Sequence, residues 1–170
     1  SLSGHKVGGP IGIGILVLQR GIDIPALIHG GGQEREIRSG TVNAPSIVAL
    51  AAAISKSSYS AHDVAALRHS FERGIGHVIP DATINGEGEN RLPGISSVTI
   101  PGALNETLLL LLDGEKISCS TGAACTAGVH RPSHVLEAMG LDENFVMSTL
   151  RFSFGSTSTQ ADVDAVIAAL

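Results

Sequence analysis

Ser3-Gly4-His5-Lys6-Val7-Gly8-Gly9-Pro10-Ile11-Gly12-Ile13-Gly14 sets one amine in a glycine-dense turn directly ahead of an apolar run. Glycines let the backbone approach a ligand with no Cβ in the way, and the serine, histidine and turn amides can hold a phosphate or a ring. An aldehyde cofactor needs such a setting for its lysine, with Lys6 supplying the Schiff-base nitrogen. The plain alternative is a glycine-rich turn carrying a solvated lysine.

At 170 residues the chain can hold one good-sized domain, or a small domain with part of another. Hydrophobic residues at 43% and charged residues at 16% place it among globular proteins, and 21 glycines point to many tight turns. A net charge of −5, with no stretch combining lysine and arginine with aromatics, sets aside nucleic acid and anionic lipid as partners. There is no signal-peptide pattern, and the apolar runs are too short to span a bilayer. A cytoplasmic protein without membrane attachment is therefore expected. The lysine turn comes with no sheet before it to hold it, which reads as the back portion of a longer enzyme.

Outward from the turn, Ile11 to Leu18 reads as a buried strand. Ile28 to Thr41 has too many glycines and charges for a core element and reads as a loop held by specific contacts. Asn43 caps a helix that carries Pro45 near its first turn and runs through Ile54. The serine-rich stretch Lys56 to Ser60 is the expected boundary, dividing residues 1–55 from a second, smaller lobe over 56–170. In that lobe the spacing predicts helices over 61–75, 104–112 and 132–139, and one after Ser158. Strands are predicted over 83–85, 95–100, 116–120 and 149–154. Such alternation argues for an α+β lobe.

Cys119 and Cys125 stand six residues apart, which fits neither a redox pair nor a zinc knuckle. The seven histidines show no metal-ligand spacing, and no resident metal is expected. Cys119 falls on the same face of the 116–120 strand as Ile117, so it reads as a small buried apolar group. Cys125 instead sits among small residues, Ser120-Thr121-Gly122-Ala123-Ala124 and Thr126-Ala127-Gly128, where a thiolate can swing toward a bound substrate. His130 and Arg131 stand close enough in sequence to lower its pKa; both also read as solvated loop residues. Arg151 interrupts the apolar strand Leu150-Arg151-Phe152-Ser153-Phe154. Its planar guanidinium suits the α-carboxylate of an amino acid, and an internal salt bridge is the competing reading.

These motifs carry a resemblance. His5-Lys6 with Gly9-Pro10 and Gly12-Ile13-Gly14, the loop Gly30-Gly31-Gly32-Gln33-Glu34-Arg35 with Arg38-Ser39-Gly40-Thr41, the Cys125 loop, and Arg151-Phe152-Ser153 together resemble the NifS/IscS-type cysteine desulfurases. The likeness spans essentially the whole chain and corresponds to the back half of such an enzyme. It implies an α/β fold of fold-type I, the class of transferases that use pyridoxal 5'-phosphate. Residues 1–55 would end the large cofactor-binding domain, and 56–170 would form the small C-terminal domain with the cysteine loop. Gly4 and Glu36 sit where many members differ, and Gly155-Ser156 replaces a common glycine-arginine pair.

Position by position, the resemblance implies that Lys6 binds the cofactor aldehyde and that Ser3 and His5 contact its phosphate. Thr41 would reach the phosphate in a neighbouring subunit's site, which makes the expected assembly a homodimer. Arg151 would bind the carboxylate of L-cysteine, and Cys125 would take its sulfur as a persulfide, leaving L-alanine. Cys125 would then pass sulfur to an acceptor such as an iron–sulfur cluster scaffold protein, and is itself a candidate transient iron–sulfur ligand. The groups that stack on the cofactor ring and pair with its nitrogen would lie upstream of residue 1, so this stretch alone is expected to be inactive. Other readings are another class V enzyme of this cofactor, an aminotransferase or a selenocysteine lyase, and a non-catalytic docking fragment.

Overall fold

Asn43 places a side-chain oxygen just before an alanine-rich run, and that oxygen accepts the Ser46 N–H at 3.2 Å, capping helix α1 (Ala44–Lys56). The structure, a computed structural model, describes residues 1–56, 60–121 and 132–170. The chain divides into two compact units, residues 1–58 and 59–170.

In the first unit, β1 (Leu2–Ser3) pairs antiparallel with β2 (Gly14–Ile15), and between them the lysine turn forms a 3-10 helix over Gly4–Val7. The strand expected over 11–18 shrinks to these two residues. Ile11 is 88% and Val17 78% exposed, because among the described residues no element of the unit lies over them to reward burial. The loop from Ile28 to Thr41 closes on itself. Gln33 Oε1 accepts the Gly40 N–H at 3.0 Å, Ser39 Oγ accepts the Gly32 N–H at 3.3 Å, and the Ser39 N–H reaches the Ile28 carbonyl at 3.0 Å.

The second unit is an α+β layer. Three strands, β3 (Thr83–Ile84), β4 (Ile95–Thr99) and β5 (Thr149–Ser153), form an antiparallel sheet in that order. Period-two alternation gives it two unlike faces. Val98, Leu150 and Phe152 join Phe71 and Ile75 of α2 (Ala61–Val78) and Val163 and Val166 of α6 (Gln160–Ala169) in the hydrophobic core. Gly74 brings α2 and α6 close, since a Cβ there would stand 2.8 Å from Ile167 Cδ1. Both helices are capped by sequence-local hydroxyls. Ser60 Oγ accepts the Asp63 N–H, and Thr159 and Asp162 form a reciprocal capping box.

The opposite face carries Ser97, Thr99, Thr149 and Arg151, beside the short helices α4 (His134–Ala138) and α5 (Glu143–Val146). Helix α3 (Asn105–Gly114) contributes Leu112 to the core, and Asn105 Nδ2 bonds the Val146 and Thr149 carbonyls.

In this unit one expected strand is not formed and one helix was not expected. The segment 116–120 is not a strand. Lys116 takes the left-handed backbone (φ 63°), which breaks the extended run, and only an isolated antiparallel bridge joins Ser120 to Arg151. Helix α5, four residues long and capped by Asp142 Oδ1 on the Phe145 N–H, was too short to show a helical period. Among the described residues no helix is long and apolar enough to cross a membrane.

Candidate functional site

The lysine turn is built by backbone contacts that only glycine permits. The Gly4 N–H donates to the Ile13 carbonyl at 2.8 Å, and a Cβ on Gly4 would stand 2.7 Å from Ile13 Cγ2. Gly9 donates back to the Gly4 carbonyl at 2.9 Å, and Gly8 closes the turn at φ 79°. This frame leaves Ser3, His5 and Lys6 exposed on one short turn. Ser3 Oγ lies 3.1 Å from His5 Nδ1, and Lys6 has no ion pair among the described residues. A hydroxyl, an imidazole and an uncommitted amine within four residues are the donor set that a phosphorylated aldehyde requires.

Thr41 is exposed and borders a cleft of about 840 Å3 within the first unit, with Arg38 and Glu34. The adjoining residues Glu34, Arg35 and Glu36 all hold positive φ (50°, 58° and 63°). Three consecutive non-glycine residues in that region are strained, and such strain clusters at ligand-binding segments.

In the second unit, Arg151 on β5 is half-buried and lines a largely apolar cavity of about 450 Å3 with Asn85, Arg91, Ser97, Leu136 and Met139. Its Nε is buried with no hydrogen-bond partner, and no carboxylate pairs with it among the described residues. The internal salt bridge that the sequence left open is thus not formed there. An unpaired cation against apolar walls is costly unless a ligand supplies the anion. Arg91, at the same cavity, is committed. Its Nη1 and Nη2 grip Glu72 at 2.9 and 3.3 Å, and Glu72 also accepts from Ser96 Oγ at 2.9 Å. Arg151 is therefore the uncommitted guanidinium of this cavity.

Four residues that sequence reasoning missed form a polar chain at the cavity, and three of them, Asn85, Ser97 and Thr149, line it. Asn85 Nδ2 donates to Ser97 Oγ and to Thr99 Oγ1, Thr99 Oγ1 lies 2.7 Å from Thr149 Oγ1, and Thr149 Oγ1 donates to the Phe145 carbonyl at 2.7 Å. The signal was the alternation of hydroxyl and apolar residues in 95–100. Cys119 packs half-buried against the core, and burial raises its thiol pKa above the ordinary range, which makes it a poor nucleophile. Cys125, with His130 and Arg131, lies outside the described residues. Among the described residues no cluster of histidine, cysteine or carboxylate side chains could hold a metal ion.

The aminotransferase class-V family model matches residues 1–166. An IscS-like cysteine desulfurase of Mycobacterium tuberculosis is 45% identical over 175 residues, covering 100% of this chain and 44% of that protein. The cysteine desulfurase NifS of Azotobacter vinelandii is 40% identical over 171 residues, covering 98% and 42%. Among solved structures, a NifS-like protein superposes with a TM-score of 0.80 at 36% identity, over 98% of this chain and 43% of that one. SspA in complex with cysteine superposes with a TM-score of 0.66 at 33% identity, over 92% and 43%. The chain thus spans less than half the length of these relatives. Matched by that family model over nearly its whole length, the chain belongs to the aminotransferase class-V family.

Proposed function

We propose that this chain is the lysine- and cysteine-bearing portion of a cysteine desulfurase that uses pyridoxal 5'-phosphate. Residues 1–55 would close the cofactor-binding domain, and 56–170 would form the small domain. The observation that carries the reading is the uncommitted guanidinium of Arg151 on a chain that also presents Lys6 free in its glycine turn. The names of the relatives that match nearly the whole chain supply the reaction.

In this reading Ser3 and His5 hold the cofactor phosphate, joined by Thr41 of a second copy, so that the enzyme is a homodimer. When bound, the cofactor supplies an electron sink that labilises the bonds at the substrate's Cα and Cβ. Lys6 Nζ holds the aldehyde before substrate arrives, and once displaced it can carry a proton. Arg151 fixes the L-cysteine carboxylate through two parallel N–H bonds, which sets the substrate's orientation. The Cys125 thiolate bonds to the substrate sulfur. The electron pair of the broken Cβ–S bond stays on carbon, which collects a proton and leaves as L-alanine. Cys125 keeps the sulfur as a persulfide for an acceptor such as an iron–sulfur scaffold protein, in the cytoplasm.

Three variants of the holoenzyme test this. Lys6→Ala should abolish cofactor absorbance in the visible. Arg151→Gln should raise KM for L-cysteine about a hundredfold, the loss of a charge-assisted bidentate contact. Cys125→Ser should abolish sulfide release while leaving the visible absorbance intact. Full sulfide release by Cys125→Ser would refute the desulfurase assignment and leave an aminotransferase or a lyase.

A further inference from the structure

We propose that Asn85 is the positioning residue for Arg151, offering its amide oxygen to the guanidinium while that group holds a substrate carboxylate. The inference rests on the carboxylate-binding role assigned to Arg151 above.

Strand register places the two side chains together. Ile84 pairs with Val98, and one step further the Asn85 N–H donates to the Ser97 carbonyl at 2.8 Å; Ser97 in turn pairs with Arg151. Asn85, Ser97 and Arg151 therefore form one row across the sheet, on the same face, and all three line the cavity of about 450 Å3. Two strand spacings put the outer backbones about 10 Å apart. A guanidinium leaning across the short serine side chain spans that distance.

The hydrogen-bond pattern fixes which end of the Asn85 amide faces the cavity. Both Nδ2 hydrogens are used, on Ser97 Oγ at 3.2 Å and Thr99 Oγ1 at 2.9 Å. Thr149 spends its hydroxyl hydrogen on the Phe145 carbonyl, so in the 2.7 Å contact between the two threonines Thr99 must be the donor. Thr99 then has only lone pairs left for Asn85, and a flipped amide would forfeit a bond. Asn85 is 8% exposed, and its Oδ1 has no hydrogen-bond partner among the described residues. The row thus ends in an unused acceptor on one side and in a buried, unused donor, Arg151 Nε, on the other.

Amide chemistry suits the task. A carboxylate at position 85 would also orient the arginine, and would neutralise the charge that the substrate needs. A neutral carbonyl oxygen orients the guanidinium and leaves its charge available.

The test compares L-cysteine with L-cysteine methyl ester, which lacks the anion, on the holoenzyme. Wild type should prefer the acid in KM by about tenfold or more. Asn85→Ala should raise KM for the acid about tenfold and leave KM for the ester unchanged, the worth of one hydrogen bond to a charged group. Asn85→Asp should raise it further, again for the acid alone, because the new carboxylate competes with the substrate for Arg151. Should Asn85→Asp not fold, the acid-to-ester ratio of Asn85→Ala decides. Equal effects on acid and ester, or none on either, overturn the positioning role. A wild-type enzyme indifferent to the ester overturns the carboxylate role of Arg151 and this inference with it.

Discussion

Glu72 holds Arg91, which lines the same cavity as Arg151, and replacing it with glutamine isolates the charge in that contact. The side chain is 12% exposed and accepts from Arg91 twice, at 2.9 and 3.3 Å, and from Ser96 at 2.9 Å, with Arg68 Nε at 3.7 Å. Glutamine keeps the shape and one acceptor. It also turns an NH2 toward an arginine donor and leaves the charges of Arg68 and Arg91 without a counterion. Breaking a fully buried ion pair costs about 3–5 kcal/mol, and the 17% exposure of Arg91 reduces this to about 2–4 kcal/mol through solvent screening. With a urea m-value of about 2 kcal/mol/M, the unfolding midpoint of the second unit should fall by about 1–2 M with m unchanged. Urea titration followed by circular dichroism measures this directly. Arg91→Met in the Glu72→Gln background should then cost less than Arg91→Met alone, since the pair is already broken. A midpoint shift below about 0.3 M would refute the reasoning, because a loss that small is what an exposed pair gives.

Gly4→Ala should displace the lysine turn, because its methyl would meet Ile13 from 2.7 Å; cofactor binding to the holoenzyme, followed by visible absorbance, should weaken while unfolding of the second unit is unchanged. Cys119 should alkylate more slowly than a free thiol at pH 8, since burial raises its pKa; mass spectrometry of the timed reaction reads it. The same shift has a sign for stability: the folded form holds its proton more tightly, so this contribution is present below the unfolded thiol pKa and fades as pH rises through the folded value. Asp162 behaves oppositely. Its bonds to the Thr159 hydroxyl and N–H lower its pKa, so its support of α6 is full above the unfolded value of about 4 and is lost as pH falls through the folded one. Hydrogen exchange in α6 between pH 5 and 3, compared with Asp162→Asn, checks it.

The helices with local signals were legible at residue level: Asn43 announced α1, and the period of Val64, Phe71 and Ile75 announced α2 and marked the face that packs on the sheet. Arg151 stood out because a cation inside an apolar strand demands an explanation. What could not be read depends on contacts distant in sequence. The left-handed turn at Lys116 breaks an extended run that composition alone supports. The burial expected for Ile11 to Leu18 assumed a covering layer that this unit does not supply. Asn85 read only as the last residue of a strand, since its meaning lies 14 and 64 positions away in Thr99 and Thr149.

The hydroxyl chain beneath the cavity also answers a question of alignment. A sheet of three short strands whose packed face reads Val98, Leu150 and Phe152 would tolerate sliding one strand by two residues, because another aliphatic or aromatic group would arrive in place of the first. The oxygens admit no such substitution. Slide β3 past β4 and Asn85 loses Ser97 and Thr99; slide β5 past β4 and Thr99 and Thr149 part; either move strands polar atoms away from water. The polar side of the sheet therefore acts as its ruler, and the apolar side as its glue.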